Sequence, residues 1–235
     1  MSISEDFGVY PSSKGLVYGG PSIQLQGERD CKILHLDYSY REQLIPYISG
    51  NLHVDNEPST VVLFEKDSVF KSYCDHFKRY KVDEKKSYLF MTAKGFPDDA
   101  SIGLLYSIAQ SCKELSIHAF MDSDVYGICI FWTYRRALKQ FADKIHFKGV
   151  YLLDYQSGWV TVNRRDLSLT MSLLKRVSFE PSRLSGKQVG TLMKVKQELT
   201  RGLLLFKKAE MNAIGTNSAD NHDLLSYVDS KMGLS

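Results

Sequence analysis

Three carboxylates at the ends of expected strands are the residues whose type and spacing best support chemistry. Glu65 closes the apolar run Thr60-Val-Val-Leu-Phe-Glu65, and Asp122 and Asp124 follow the run Ser116-Ile-His-Ala-Phe-Met121. In an open α/β sheet, ligands bind outside the carboxyl ends of the strands. The two aspartates are separated by one serine, so an extended backbone projects both to the same side. Three acids at one rim repel one another and stay ionised at low cost only if a cation neutralises them. Hard oxygen donors with room for water suit Mg²⁺ better than zinc or copper, with Mn²⁺ able to take its place. Each acid alone has a plainer reading as a helix N-cap, Asp124 ahead of Tyr126 or Asp67 ahead of Val69. Caps do not explain two acids flanking one serine beside a third strand-end acid. Lys94, after another expected strand, adds a cation to the same rim.

The elements that must position these residues are legible from hydrophobic periodicity. Thr60–Glu65 has the pattern of a strand buried on both faces. A helix follows, with Val69, Tyr73 and Phe77 at helical spacing. After a charged loop, Lys81–Lys86, a second strand covers Ser87–Thr92. The loop Ala93-Lys-Gly-Phe-Pro97 ends it, and Asp98 or Asp99 caps a second helix striped by Ile102, Leu105, Ile108, Ala109 and Cys112. The third strand is Ser116–Met121, and a third helix runs from Tyr126 to about Ala142. A fourth strand is expected at Gly149–Leu153. This alternation means βαβ units: an α/β fold with a doubly wound, mainly parallel sheet and helices on both faces. Before it, residues 1–58 carry turn signals at Pro11–Gly15, Gly19–Pro21 and Ser49–Asn51 between short apolar pieces, the pattern of a lead-in of short strands. Beyond the core, Leu192, Val195, Leu199, Leu203 and Phe206 stripe a long helix, and from Thr216 the composition is that of a polar, frayed tail.

With 235 residues, 43% hydrophobic and 24% charged, the chain can bury one sizeable core, or one core and a small annex. This excludes a disordered or fibrous chain. The net charge of +3 is too mild to imply a polyanion partner by itself. It hides a split: Phe131–Lys208 holds 16 Lys+Arg against 5 Asp+Glu, a local balance of +11, and the remainder is at −8. Such asymmetry hints at a polyanion, although solvated helix faces produce it too. Cys31, Cys74, Cys112 and Cys129 form no CxxC pair and the six histidines do not cluster with them, which argues against zinc or a disulfide framework. The first residues lack a basic start followed by an apolar run, and no stretch of about 18 apolar residues occurs. A soluble intracellular protein with reduced thiols is expected, with no membrane contact.

The same residues resemble a known family. Val61-Val-Leu-Phe-Glu-Lys-Asp-Ser-Val-Phe70, Lys94-Gly-Phe-Pro-Asp98 and Met121-Asp-Ser-Asp-Val-Tyr-Gly-Ile128, in this order, resemble the Toprim domain of the topoisomerase VI A subunit. They are closer still to its eukaryotic relative, the meiotic double-strand-break transesterase known as sporulation protein eleven. Pro11–Tyr18 is similar to the family's lead into this domain, and Phe206-Lys-Lys-Ala-Glu-Met-Asn212 to the end of its fungal members. A receiver domain also gathers carboxylates around Mg²⁺. It is about half this length, however, begins with paired acids on its first strand, and has no use for a +11 segment.

The resemblance implies roles and boundaries. Glu65 matches the family's glutamate and Asp122 and Asp124 its DxD pair, which together bind Mg²⁺ beside the scissile phosphate, with Glu65 taking part in metal-assisted catalysis. Lys94 lies in the lysine-glycine loop, where a cation approaches a phosphate. From the charge count, and not from the resemblance, Arg135 and Arg136 in the basic segment are candidates for a DNA-binding face. Gly127 would let the backbone come close to metal or DNA. The family usually has proline after its second aspartate; Val125 stands there, and a looser turn at Asp124 is expected. The implied organisation is a lead-in at 1–58, a Toprim metal-binding core at 59–155, a basic helical extension at 156–214 and a tail at 215–235.

In the family, a winged-helix domain supplies the tyrosine that attacks DNA. None of the 14 tyrosines stands in that context; Arg41-Glu-Gln-Leu-Ile-Pro-Tyr47 has the charged pair but the wrong spacing. The expectation is therefore the metal-binding part of a DNA transesterase of the topoisomerase class, one that starts meiotic recombination but does not cut alone. Expected partners are double-stranded DNA, a second copy in a homodimer, other break-forming proteins and a topoisomerase VI B-like subunit, in the nucleus on chromosomes. Two other readings remain open: a non-catalytic dimerisation and DNA-binding module, and a stand-alone Toprim nuclease.

Overall fold

A computed structural model describes residues 12–20, 22–26, 31–34, 36–38, 41–47, 51–55, 57–80, 88–177, 186–214 and 222–234. Its centre is three parallel strands, β6 (Thr60–Phe64), β7 (Tyr88–Thr92) and β8 (Ser116–Phe120), with β6 in the middle. Every residue of β6 and β7 is buried, as expected of strands covered on both faces. Alternation then divides the side chains. Val61 and Leu63 enter a core with Leu104, Leu105 and Ile108 of α2 (Asp99–Ser111) and Ile128 and Phe131 of α3 (Val125–Ala137). Val62 and Phe64 enter the opposite core with Val69, Phe70, Tyr73 and Phe77 of α1 (Asp67–Tyr80).

The register has one consequence for chemistry. Phe64 lies opposite both Thr92 and Phe120, so the three strands end level. Glu65, the Lys94 loop and Asp122 therefore leave the sheet at the same rim. The backbone ties the rim together: the Glu65 N–H donates to the Phe120 carbonyl (3.1 Å), and the Glu65 carbonyl accepts from the Gly95 N–H (2.9 Å).

The lead-in forms short strands as expected, and some join the main sheet. β1 (Leu16–Gly19) pairs antiparallel with β7 and carries β4 (Gln43–Leu44) at the edge. β2 (Ser22–Gln26), β3 (Cys31–Leu34) and β5 (Asn51–Asp55) form a separate three-stranded antiparallel sheet. The charged loop at Lys81–Lys86, Pro11, Pro21 and Ser49-Gly50 lie outside the described residues.

Three expectations need correction. The fourth parallel strand, β9, is Ile145–Gly149 rather than Gly149–Leu153. Ile145 and Phe147 face inward while His146 is exposed, an alternation that does not read as an apolar run; Val150 and Leu152 are buried just past the strand. The third helix stops at Ala137, and a 3-10 turn over Lys139–Lys144 completes the path to β9. The polar tail is the third case. Residues 215–221 lie outside the described residues, but His222–Met232 is a helix, here α7, once α4 (Arg164–Val177), α5 (Gly186–Leu205) and α6 (Met211–Ile214) have been counted.

Polar surface residues disguise this last helix, whose Leu224 and Val228 are buried in the α1-side core. Its buried Asp229 accepts a hydrogen bond from the Tyr73 hydroxyl (2.6 Å) and lies 2.9 Å from His76 Nε2. Asp154 accepts from the Tyr227 hydroxyl (2.6 Å) and pairs with Lys231 (2.8 Å). Asp229→Ala leaves two ring donors on α1 without their acceptor and should cost about 1–3 kcal/mol. Ser230→Ala, at an exposed neighbouring position, should stay within about 0.5 kcal/mol of wild type in the same urea titration.

Candidate metal and DNA site

Glu65 sits one residue past β6, and its Oε2 accepts a hydrogen bond from the Asp122 backbone N–H (2.9 Å). The first and second acids of the trio are thus joined directly. Asp122 is buried, with Oδ1 accepting from the Met211 N–H (2.8 Å) and Oδ2 paired with Lys66 Nζ (2.8 Å). Lys66 Nζ also reaches Glu210 (3.4 Å). Asp124 is the N-cap of α3: its Oδ1 accepts from the Gly127 N–H (2.8 Å), while Oδ2 lies 3.9 Å from Lys208 Nζ. Both readings of Asp124, cap and rim carboxylate, therefore apply to one side chain.

A second strand returns from the C-terminal side to clamp this loop. β10 (Trp159–Thr161) and β11 (Lys207–Ala209) form a two-stranded antiparallel sheet, and Ser123 adds to its edge by bridging Ala209. The Ser123 N–H donates to the Ala209 carbonyl (2.8 Å), and the Ala209 N–H donates back (3.3 Å). With Ser123 extended in this way, its hydroxyl turns to the buried Glu198 Oε2 (3.2 Å) and the aspartates flank it on the other side. Glu198 Oε2 also accepts from the Leu152 N–H (2.8 Å), and Arg201 pairs with Oε1. Lys208 is held in turn by the buried Asp166 (3.4 Å), which exchanges hydrogen bonds with Asn163 at the start of α4. A cleft opens beside Asp124, lined among others by Thr170, Gly202, Lys207 and Lys208.

Electrostatics set this rim apart. Burial, followed by the charge of Asp122, pushes the Glu65 carboxyl up to about 7, with Asp124 adding to the effect. Burial also raises Asp124, again reinforced by Asp122. Burial disfavours the charged form of Lys66, but Asp122, Glu210 and Glu65 outweigh it and hold the ammonium above its ordinary range. The donor chemistry, three carboxylates at one largely buried rim, fits a hard divalent cation. The side-chain arrangement is closed by lysines instead: among the described residues, no three His, Cys, Asp or Glu side chains converge as metal ligands.

The other candidate residues are placed as follows. Lys94 is exposed on a turn with positive φ (55°, followed by Gly95 at 101°), its N–H donating to the Thr92 hydroxyl (3.1 Å). Arg136 is exposed on α3. Arg135 is not: its buried guanidinium donates to the Ala142 carbonyl (2.8 Å) and lies near Asp143, tying the helix end to the following turn. Helical rotation sends neighbouring arginines in different directions, which the charge count could not resolve. Val125 is buried and opens α3, and Asp124 before it caps that helix through the Gly127 N–H, which closes the turn where a looser one was expected. Gly127 brings the backbone close to Asp122, since a Cβ there would lie 2.3 Å from the Asp122 carbonyl oxygen.

Sequence reasoning assigned no role to Lys66, Glu198, Lys208, Glu210 or Met211. Four were within reach: Lys66 adjoins Glu65, and Lys208, Glu210 and Met211 lie in the C-terminal motif Phe206–Asn212.

Comparison with known proteins places the chain in a family. The model of the family uniting topoisomerase 6 A subunits with Spo11, for its Toprim domain, matches residues 60–231. The chain belongs to this family. The match reaches residue 231, within α7. The chain is similar to the meiotic recombination protein rec12 of Schizosaccharomyces pombe, 24% identical over 223 residues, covering 89% of this chain and 57% of the relative. It is equally similar to the meiotic recombination protein SPO11-2 of Oryza sativa subsp. indica, 24% identical over 233 residues, covering 92% of this chain and 55% of that protein. The chain thus spans little more than half the length of these relatives. No helix among the described residues is long and apolar enough to cross a membrane.

Two outcomes follow. A Glu65 carboxyl raised in the fold favours the protonated form, so its contribution to stability is complete below its unfolded pKa of about 4.3 and lost as pH rises through about 7. In chelator, Glu65→Gln should therefore be more stable than wild type at pH 8, and this advantage should shrink as pH falls toward 4; urea titrations across this range check it. Gly127→Ala should cost about 1–3 kcal/mol, since its methyl meets backbone. Gly103→Ala, in α2 with open space around its Cβ, should instead gain up to about 1 kcal/mol in thermal melts.

Proposed function

We propose that this chain is the Mg²⁺- and DNA-binding part of a topoisomerase VI A-like protein that takes part in making meiotic DNA double-strand breaks. The observation that carries the reading is the union of Glu65 and Asp122 through one hydrogen bond at a level three-strand rim, beside Asp124. Glu65, Asp122 and Asp124 would hold Mg²⁺, or Mn²⁺ in its place. A bound ion would supply charge stabilisation to a phosphate and its leaving oxygen. The chain's own residues contribute orientation. The Asp122 N–H aims Glu65, the Met211 N–H aims Asp122, and the Gly127 N–H aims Asp124. Burial at the rim excludes water and strengthens each of these interactions.

Duplex DNA would cross the same rim, with exposed Lys94 contacting phosphate, and the +11 segment, including Arg136 exposed on the last turn of α3 away from the rim, supplying the wider field. The tyrosine nucleophile that such a reaction requires would come from the winged-helix part of the family's architecture. The working assembly would be a homodimer, joined by other meiotic proteins and a topoisomerase VI B-like subunit on chromosomes in the nucleus. One observation favours a second reading, a non-catalytic interaction module: Asp122 already has a cationic partner in Lys66.

Calorimetric titration with Mn²⁺ separates the two readings. Binding by wild type, lost in Asp122→Asn and Asp124→Asn, supports the metal reading; no effect of Mn²⁺ or Mg²⁺ on stability or DNA binding supports the interaction module. On duplex DNA, affinity should fall steeply with salt. Lys94→Ala should weaken binding and lower the salt slope by about 1, measured by fluorescence anisotropy, and Arg136→Ala, at the far end of α3, should lower it by less. Unchanged slopes in both variants would remove these residues from the DNA face.

A further inference from the structure

Lys66 bridges two carboxylates of different exposure. Its Nζ is 2.8 Å from Asp122 Oδ2 and 3.4 Å from Glu210 Oε2, and the Asp122 side chain is 5% exposed against 38% for Glu210. Asp122 does not depend on the lysine for its orientation, because its other oxygen is held by the Met211 N–H at 2.8 Å. The second lysine at the rim, Lys208, faces Asp124 and Asp166 and leaves Asp122 to Lys66. An ammonium and a divalent ion cannot both occupy Asp122 Oδ2 at contact distance without strong repulsion. The lysine can withdraw by side-chain rotation alone, since it already touches Glu210 and would keep that pair.

We propose that Lys66 is a tethered cation that occupies Asp122 in the metal-free protein, and that Glu210 is the station to which its ammonium withdraws when a divalent ion enters. The proposal rests on the reading of Glu65, Asp122 and Asp124 as metal ligands. It accounts for a trio whose chemistry suits a divalent ion while its side chains are closed onto lysine. Lys66 is on this view an internal competitor: it pairs with Asp122 without metal, and makes metal binding compete with that ion pair.

The test is Mn²⁺ binding to the full chain, followed by electron paramagnetic resonance and calorimetry, with thermal melts in chelator and in excess Mn²⁺. Lys66→Met should bind Mn²⁺ roughly tenfold more tightly than wild type, and Lys66→Arg, which keeps the charge, should bind like wild type. In chelator, Lys66→Met should melt lower than wild type, and its gain on adding Mn²⁺ should be the larger of the two. Glu210→Gln should weaken Mn²⁺ binding in the wild-type background and change little once Lys66 is Met, the coupling expected if Glu210 acts through the lysine. Should Lys66→Met not fold, Lys66→Gln carries the same expectations. Equal or weaker binding by a folded, charge-free variant overturns the proposal while leaving the metal reading intact. An undiminished effect of Glu210→Gln beside Lys66→Met overturns the station. Absence of Mn²⁺ binding in wild type and charge-free variants alike overturns the metal reading, and the proposal with it.

Discussion

Glu65, Asp122 and Asp124 must be kept at one rim against their own repulsion, and much of the surrounding structure answers that constraint. The cost is visible in Glu65, whose carboxyl is pushed up to about 7 by burial and by Asp122. Backbone amides and two lysines offset it. The N–H groups of Asp122, Met211 and Gly127 each point at one of the three carboxylates. Lys66 and Lys208 supply the opposite charge. Charge-assisted hydrogen bonds of this kind are among the stronger ones available to a fold, and here they are built from rigid elements.

Those elements meet from far apart in the chain. The Asp122–Asp124 loop emerges from a parallel strand, yet its outer edge is paired with β11, some 85 residues later. Glu198 locks the junction by gathering Ser123, Leu152 and Arg201 around one buried carboxylate. A buried acid satisfied on both oxygens specifies a single arrangement, and removing it would leave its donors unpaired. The family match runs from residue 60 to 231 and so covers the strand rim, the basic helices and most of the last helix.

The legible part of the sequence was the part governed by local pattern. Fully apolar runs such as Val61–Phe64 and Leu89–Met91 announce strands buried on both faces, and the stripe of Val69, Tyr73 and Phe77 announces a helix. β9 was misplaced because Ile145 and Phe147 alternate with His146 and Lys148, so its inward face is thin. The last helix was hidden because Asp229, an acidic residue on its buried face, finds partners in Tyr73 and His76, more than 150 residues earlier. Arg135 and Arg136 look identical in a charge count, and only the rotation of α3 separates a buried tie to Ala142 from an exposed cation.

Sequence alone was enough for the α/β class, the order of strands and helices around Glu65 and Asp122, and the family. These depend on periodicity and on short motifs whose residues are neighbours in the chain. The folded arrangement was needed for the level ends of β6, β7 and β8, the clamp of β11 on Ser123, and the pairing of Lys66 with Asp122 and of Lys208 with Asp166. The reason is physical: the charge state and aim of a carboxylate depend on what stands within a few ångströms of it, and at this rim most of those neighbours come from segments remote in sequence.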